Sequence, residues 1–153
     1  MDTQFHDAVR EVTGWLRGRP VTPDLGSELA AAFPPGGPVF EGLAAACRRG
    51  VDQGWLANRG EAPLTWGRVI KPGPDTHGFS VDVVRMTDVA GPRHVHPQGE
   101  IDLIVPLAPT ARFDGVGAGW RVYGPGSAHA PTVTGGTAIV LYLLPGGEIA
   151  FEA

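Results

Sequence analysis

The stretch HVHPQGE at positions 94–100 contains three side chains that could bind a metal ion: two histidines and a glutamate. If the chain is extended here, His94 and His96 point to the same face of a strand, because alternate side chains share a face. Glu100 follows beyond a Pro-Gln-Gly turn and can fold back toward that face. A fourth donor, His129, follows a Pro-Gly turn on what the pattern predicts to be the next pair of strands.

Three neutral imidazoles and one carboxylate suit a borderline divalent ion and disfavour Ca²⁺ and Mg²⁺, which prefer oxygen ligands. Four protein ligands leave open positions only for an ion that takes five or six ligands. This favours Fe, Mn, Co or Ni over tetrahedral Zn. In the alternative interpretation, the same four residues bind no metal and act as acids, bases and hydrogen-bond donors.

Asp102 lies two residues beyond Glu100, so on one strand both carboxylates share a face. A buried carboxylate needs a cation, a ring N–H or a raised pKa. Two interpretations therefore stay open: Asp102 moves a proton, or it forms an ion pair with an arginine. The arginines in question are Arg85, Arg93 and Arg121. The candidate catalytic residues are thus Glu100, Asp102 and His96.

These motifs resemble those of the cupin superfamily. HVHPQGE at 94–100 resembles the first cupin motif, and GPGSAH at 124–129, followed by Pro131, resembles the second. The runs HPQGEIDLIVPL, ARFDGVGAGWRVYGPGSAHAPTVTGG and IVLYLLPGGEIAF make residues 66–152 similar to the 4-hydroxylaminobenzoate lyase family. The resemblance implies a carbon–nitrogen lyase of nitroaromatic degradation that converts 4-hydroxylaminobenzoate to protocatechuate and ammonia.

An aromatic carboxylate, the substrate that this resemblance implies, needs a cation for its anion and apolar walls for its ring. Arg93 is the first candidate for the cation, because arginine offers a two-pronged donor to a carboxylate. Trp120 and Tyr123 are candidates for the walls. The competing arginines are Arg85, Arg112 and Arg121, and the competing rings are Trp66, Phe79, Phe113 and Tyr142.

The rest of the chain predicts a mainly β fold, a small antiparallel cupin (jelly-roll) barrel with an N-terminal helical segment. Apolar residues recur at helical spacing and then, from Leu64 onward, in short alternating runs. The predicted helices span 3–17, about 24–33 and about 39–56. The predicted strands span 65–71, 80–88, 100–107, 112–113, 120–123, 137–144 and 148–151. We expect one domain, 1–153, with a helical segment at 1–60 and the barrel at 61–153.

Composition narrows the class of protein. A chain of 153 residues is one ordinary domain, and its net charge of −4 with no basic cluster longer than Arg48-Arg49 argues against a nucleic-acid partner. The single cysteine, Cys47, fits a reducing compartment, and its helical spacing predicts a buried thiol. No signal peptide is visible, and the apolar run 138–144 is too short to span a membrane. We expect a cytoplasmic enzyme without a membrane partner.

Other functions stay open at this point. Three histidines and a glutamate around Fe(II) also suit a dioxygenase, and a non-catalytic cupin could bind a small aromatic acid without converting it. The apolar faces of the helical segment predict that it either covers the barrel or forms the interface of a homodimer.

Overall fold

The computed structural model of the chain describes residues 2–152, so the predicted domain limits at Met1 and Ala153 lie outside the described residues. Helices come first and strands follow. The helices are α1 (Thr3–Leu16), α2 (Leu25–Ala32) and α3 (Pro38–Gln53), with one 3₁₀ turn at Pro74–Thr76. The strands are β1 (Arg59–Glu61), β2 (Leu64–Ile70), β3 (Phe79–Ala90), β4 (His94–His96), β5 (Glu100–Pro106), β6 (Arg112–Phe113), β7 (Gly119–Tyr123), β8 (Ser127–His129), β9 (Thr132–Pro145) and β10 (Ala150–Phe151).

The strands form two sheets in which every pair is antiparallel. The larger sheet has the order β1-β2-β3-β9-β5-β7, with β6 added beside β9, and the smaller sheet has the order β10-β4-β8. The prediction of a mainly β, antiparallel fold with an N-terminal helical segment is confirmed. Among the described helices, none has both the length and the hydropathy that a membrane span requires.

The larger sheet has two differently occupied faces. Alternation along β5 sends Leu103 into a core that also contains Leu29 and Phe40 from the helices, all of them buried. It sends Glu100 and Asp102 to the other face, toward the smaller sheet. The helices therefore cover one face of the sheet, and the candidate site occupies the opposite face.

Local signals explain where the helices begin and end. Asp2 caps α1, because its Oδ1 accepts a hydrogen bond of 2.7 Å from the backbone N–H of Phe5. Gly54 ends α3 in the left-handed conformation, with φ of 84°, which is why this helix is shorter than the 39–56 predicted. The first strand consequently starts at Arg59, inside the segment predicted to be helical.

Candidate metal centre and active-site cavity

Two short strands and the start of a third bring the four predicted metal ligands together. His94 and His96 share a face of β4, and β4 pairs with β8 so that His94 lies directly opposite His129. Glu100 begins β5 after the turn that follows His96. One possible ligand atom from each residue lies within 4.8 Å of the others.

The carboxylate of Glu100 lies at the centre of this cluster. Its Oε1 contacts Nε2 of His96 and lies 3.6 Å from Nε2 of His94, and its Oε2 lies 3.2 Å from Nε2 of His129. The side chains of Glu100 and His96 are fully buried. All three histidines thus direct Nε2 toward one point.

Hydrogen-bond contacts at Nδ1 orient two of the three imidazole rings. Nδ1 of His94 lies 3.1 Å from the carbonyl oxygen of Pro92, and Nδ1 of His129 lies 2.9 Å from Oδ2 of Asp114. Each acceptor favours a proton on Nδ1, which leaves a lone pair on Nε2 for a metal ion.

The cluster is rich in buried polar atoms that lack hydrogen-bond partners among the described residues. These atoms are Nε2 of His94, Nδ1 and Nε2 of His96, both oxygens of Glu100, and Nε2 of His129. Leaving such an atom unpaired costs roughly 1–3 kcal/mol, so their convergence on one point calls for a shared partner. Three imidazole nitrogens and a carboxylate fit a borderline divalent metal ion.

Asp114 is a functional candidate that the sequence analysis missed. Its Oδ2 accepts hydrogen bonds from His129 and from the hydroxyl of Tyr123, and its Oδ1 accepts one of 2.8 Å from the backbone N–H of Thr132. The ring of Tyr123 also stacks on His129, with centroids 4.2 Å apart. The only local signal was an Asp-Gly turn, and such turns are common in β proteins.

Asp102 is buried next to Glu100, and within residues 2–152 it forms no ion pair with an arginine. Burial and the neighbouring charge of Glu100 raise the pKa of Asp102 well above its usual value. Burial would also raise the pKa of Glu100, but the polar contacts with Asp102 and the three histidines outweigh burial and lower that pKa well below its usual value. The arrangement favours a neutral Asp102 beside an ionised Glu100.

The structure brings only one of the three predicted substrate-binding residues to the cluster, namely Tyr123. Trp120 faces the helices: its Nε1 donates a 2.9 Å hydrogen bond to the carbonyl oxygen of Phe33. Arg93 points outward, with 57% of its side chain exposed and its Nε 3.0 Å from Oε2 of Glu152. Trp120 lies three residues from Tyr123 along β7, so strand alternation places the two rings on opposite faces.

A cavity of about 550 Å³ lies between the two sheets and reaches His94. Its walls are mainly apolar and include two of the competing rings, Trp66 and Tyr142. Its charged residues are Arg68 and Asp82, neither of which was predicted to face the substrate. A second cavity, of about 580 Å³, lies between α3 and the end of β5 and contains none of the four metal-ligand candidates.

Comparison with known proteins finds one matching family and similar proteins of the same name. Residues 7–151 match the PnbB 4-hydroxylaminobenzoate lyase family. A 4-hydroxylaminobenzoate lyase of Nocardioides sp. (strain LMS-CY) is 35% identical over 146 residues, which cover 90% of this chain and 86% of that protein. A protein of the same name from Pseudomonas putida is 32% identical over 120 residues, which cover 67% of this chain and 68% of that protein.

The solved structures that match this chain do so with low sequence identity and with TM-scores below 0.5. An RmlC-like cupin protein from Ralstonia eutropha is 15% identical with a TM-score of 0.46, and the match covers 61% of this chain and 62% of that one. The DMSP lyase DddQ from Ruegeria pomeroyi is 19% identical with a TM-score of 0.38, and the match covers 93% of this chain and 92% of that one.

Proposed function

The chain belongs to the 4-hydroxylaminobenzoate lyase family, and we propose that it converts 4-hydroxylaminobenzoate and one water to protocatechuate (3,4-dihydroxybenzoate) and ammonia. The observation that carries the proposal is the buried cluster of His94, His96, Glu100 and His129 beside a mainly apolar cavity. A cavity of about 550 Å³ is within the usual size of small-molecule sites. We place this activity in the cytoplasm, as a step of nitroaromatic degradation.

We further propose that the four clustered residues hold one divalent ion, which is Fe, Mn, Co, Ni or Zn. When bound, such an ion would polarise the oxygen of the N–O group or activate a water. Asp114 would hold His129 in the tautomer that leaves Nε2 unprotonated. Tyr123 would support this arrangement through its hydrogen bond to Asp114 and its stacking on His129.

The reaction needs one group that gives a proton to the leaving oxygen and one that takes a proton from the attacking water. The N–O bond breaks with its electron pair going to oxygen, which takes up a proton and leaves as water. The ring is then electron-poor, and the carbon next to the one that carries nitrogen accepts a second water, which must lose a proton. Hydrolysis of the resulting imine by a third water releases ammonia, so the net change is the addition of one water.

Asp102 and Glu100 suit these proton transfers because they form a pair of one acid and one base. Asp102 keeps its proton because burial and the charge of Glu100 raise its pKa, whereas Glu100 is ionised. His96, in contact with Glu100, fixes the position of that carboxylate. We therefore assign catalytic roles to Glu100, Asp102 and His96.

The proposal is tested by incubating the purified protein with 4-hydroxylaminobenzoate and measuring ammonia and protocatechuate together. We expect the two products in equal amounts without consumption of oxygen, and we expect both to disappear when a chelator is added. Product formation that requires oxygen would refute the lyase in favour of a dioxygenase. Turnover that survives complete metal removal would refute the role of the metal.

A further inference from the structure

We propose that Arg68 binds the carboxylate of the substrate and thereby orients the aromatic ring toward the metal-ligand cluster. This inference rests on the proposed function, because it assumes an aromatic acid as the substrate. Of the described arginines, Arg68 alone lines the cavity that His94 also lines. The site would therefore be specific for para-substituted benzoates.

Strand pairing places Arg68 at the far end of one row of side chains. Arg68 pairs with Asp82 across β2 and β3, and Asp82 pairs with Tyr142 across β3 and β9. Tyr142 in turn pairs with Asp102 on β5. Directly paired residues point to the same face of a sheet, so the whole row lies on the face that carries Glu100.

The row leaves room for a para-disubstituted ring between Arg68 and the cluster. Three steps between neighbouring strands separate the backbones of Arg68 and Asp102 by about 14 Å along the sheet. Tyr142 lies between them and lines the cavity. A para-disubstituted ring carries its carboxylate and its hydroxylamino group at opposite ends, so one end can meet Arg68 while the other meets the cluster.

The guanidinium of Arg68 is held rigidly and has one free edge. Its Nε lies 2.8 Å from Oδ1 of Asp82, and its Nη2 lies 3.1 Å from Oδ2 of Asp82 and 3.1 Å from the carbonyl oxygen of Gly147. Its Nη1 has no hydrogen-bond partner among the described residues. A fixed donor with free N–H groups binds an anion without first losing side-chain freedom.

None of the other candidate arginines lines this cavity. Arg93 pairs with Glu152 at the surface. Arg121 pairs with Asp102 across β5 and β7 and lies over the ring of Tyr123, 5.1 Å from its centroid, at the cluster end of the row. Arg112 donates to the backbone carbonyl oxygens of Pro109 and Ala111 and lines the second cavity. Arg85 lies three residues from Asp82 along β3, so it points to the opposite face of the sheet.

The test compares the binding of 4-aminobenzoate and 4-aminobenzamide, which differ only in the group at the predicted anchor, a carboxylate in the first and an uncharged amide in the second. We expect calorimetry to show that the wild-type protein prefers the acid and that Arg68→Met weakens binding of the acid roughly 10- to 100-fold, the loss typical of a hydrogen bond to a charged group. Binding of the amide should not change. Arg10→Met is the control, because Arg10 is an exposed arginine on α1 that does not line the cavity.

Several results would overturn the assignment of Arg68. Equal weakening of acid and amide binding by Arg68→Met would mean that the residue only supports the structure. Unchanged acid binding in that variant, no preference for the acid in the wild type, or loss of the preference in Arg93→Met would place the anchor elsewhere. If Arg68→Met does not fold, Arg68→Lys is the second variant, because lysine keeps the charge but lacks the two-pronged donor of arginine. We expect Arg68→Lys to lose part of the preference for the acid over the amide.

These binding measurements do not depend on turnover, so they separate the two proposals. A protein that binds 4-aminobenzoate through Arg68 but releases no ammonia from 4-hydroxylaminobenzoate would refute the reaction and keep the anchor. A protein that releases ammonia but binds the acid equally well after Arg68→Met would keep the reaction and refute the anchor.

Discussion

Replacing Asp114 by asparagine should weaken metal binding while preserving the shape of the side chain. Oδ1 of Asp114 accepts from the backbone N–H of Thr132, and Oδ2 accepts from His129 and Tyr123. An asparagine can keep the first contact through its oxygen, but its NH₂ group then faces Nδ1 of His129. To accept that N–H, His129 must move its proton to Nε2, where a metal ligand needs a lone pair.

The expected size of the effect follows from the role of His129 as one of four ligands. Loss of a residue that orients a metal-binding histidine typically costs 10- to 100-fold in metal affinity, or about 1.4–2.7 kcal/mol. Only 15% of the Asp114 side chain is exposed, so solvent screens the contact weakly. We therefore expect Asp114→Asn to raise the Kd for Co²⁺ or Zn²⁺ by roughly 10- to 100-fold.

The assay is a titration of chelator-stripped protein with Co²⁺ or Zn²⁺ against a competing chelator, with circular dichroism to check the fold. Asp88→Asn is a closely matched control. Like Asp114, whose φ is 48°, Asp88 has a positive φ, of 42°, and it accepts a 3.2 Å hydrogen bond from the backbone N–H of Gly136. Asp88 is exposed, however, and contacts none of the clustered histidines. A folded Asp114→Asn variant with the metal affinity of the wild type would refute the orienting role.

Three further predictions concern the cluster, the helical face and the cysteine. His96→Ala should abolish turnover and leave the circular dichroism spectrum unchanged, and near wild-type activity would remove the metal-site mechanism. Leu29→Ala should lower the free energy of unfolding in urea by about 2–5 kcal/mol, because Leu29 is fully buried in the core that the helices share with the sheet. We expect one cooperative transition, and two separate transitions would contradict a single domain. Burial raises the pKa of Cys47 to about 12, so a thiol reagent at pH 8 should modify it only in unfolded protein. The pKa of Cys47 is higher in the folded protein than the value of about 8.5 in the unfolded chain, so the contribution of the protonated thiol to folding stability is complete below pH 8.5 and is lost as the pH rises toward 12. Rapid modification of the native protein would contradict the buried position.

The sequence was most informative where the geometry is local. Alternation along an extended chain places His94 and His96 on one face, whatever the rest of the fold does, and β4 confirms it. The same reasoning placed Asp102 beside Glu100. Helix positions were also predictable from apolar periodicity, although the left-handed Gly54 ended α3 earlier than expected.

The residues that the sequence analysis missed depend on contacts between distant segments. Arg68 reaches the cavity only because β2 pairs with β3 and β3 pairs with β9, a register that spacing along the chain does not encode. Asp114 meets His129 through a turn that packs against β8. Trp120 was a plausible ring wall by residue type, but the alternation of β7 directs it to the helices.

The division of the larger sheet into a helix-covered face and a cavity face has a consequence for engineering. On the cavity face, Trp66 of β2 is 48% exposed, whereas Val84 and Met86 of β3, which line the same cavity, are buried. Exposed positions usually tolerate substitution within about 0.5 kcal/mol of stability. A library restricted to Trp66 could therefore vary the accepted ring substituents, while the buried side chains of β3 and the helix-covered face keep the melting temperature.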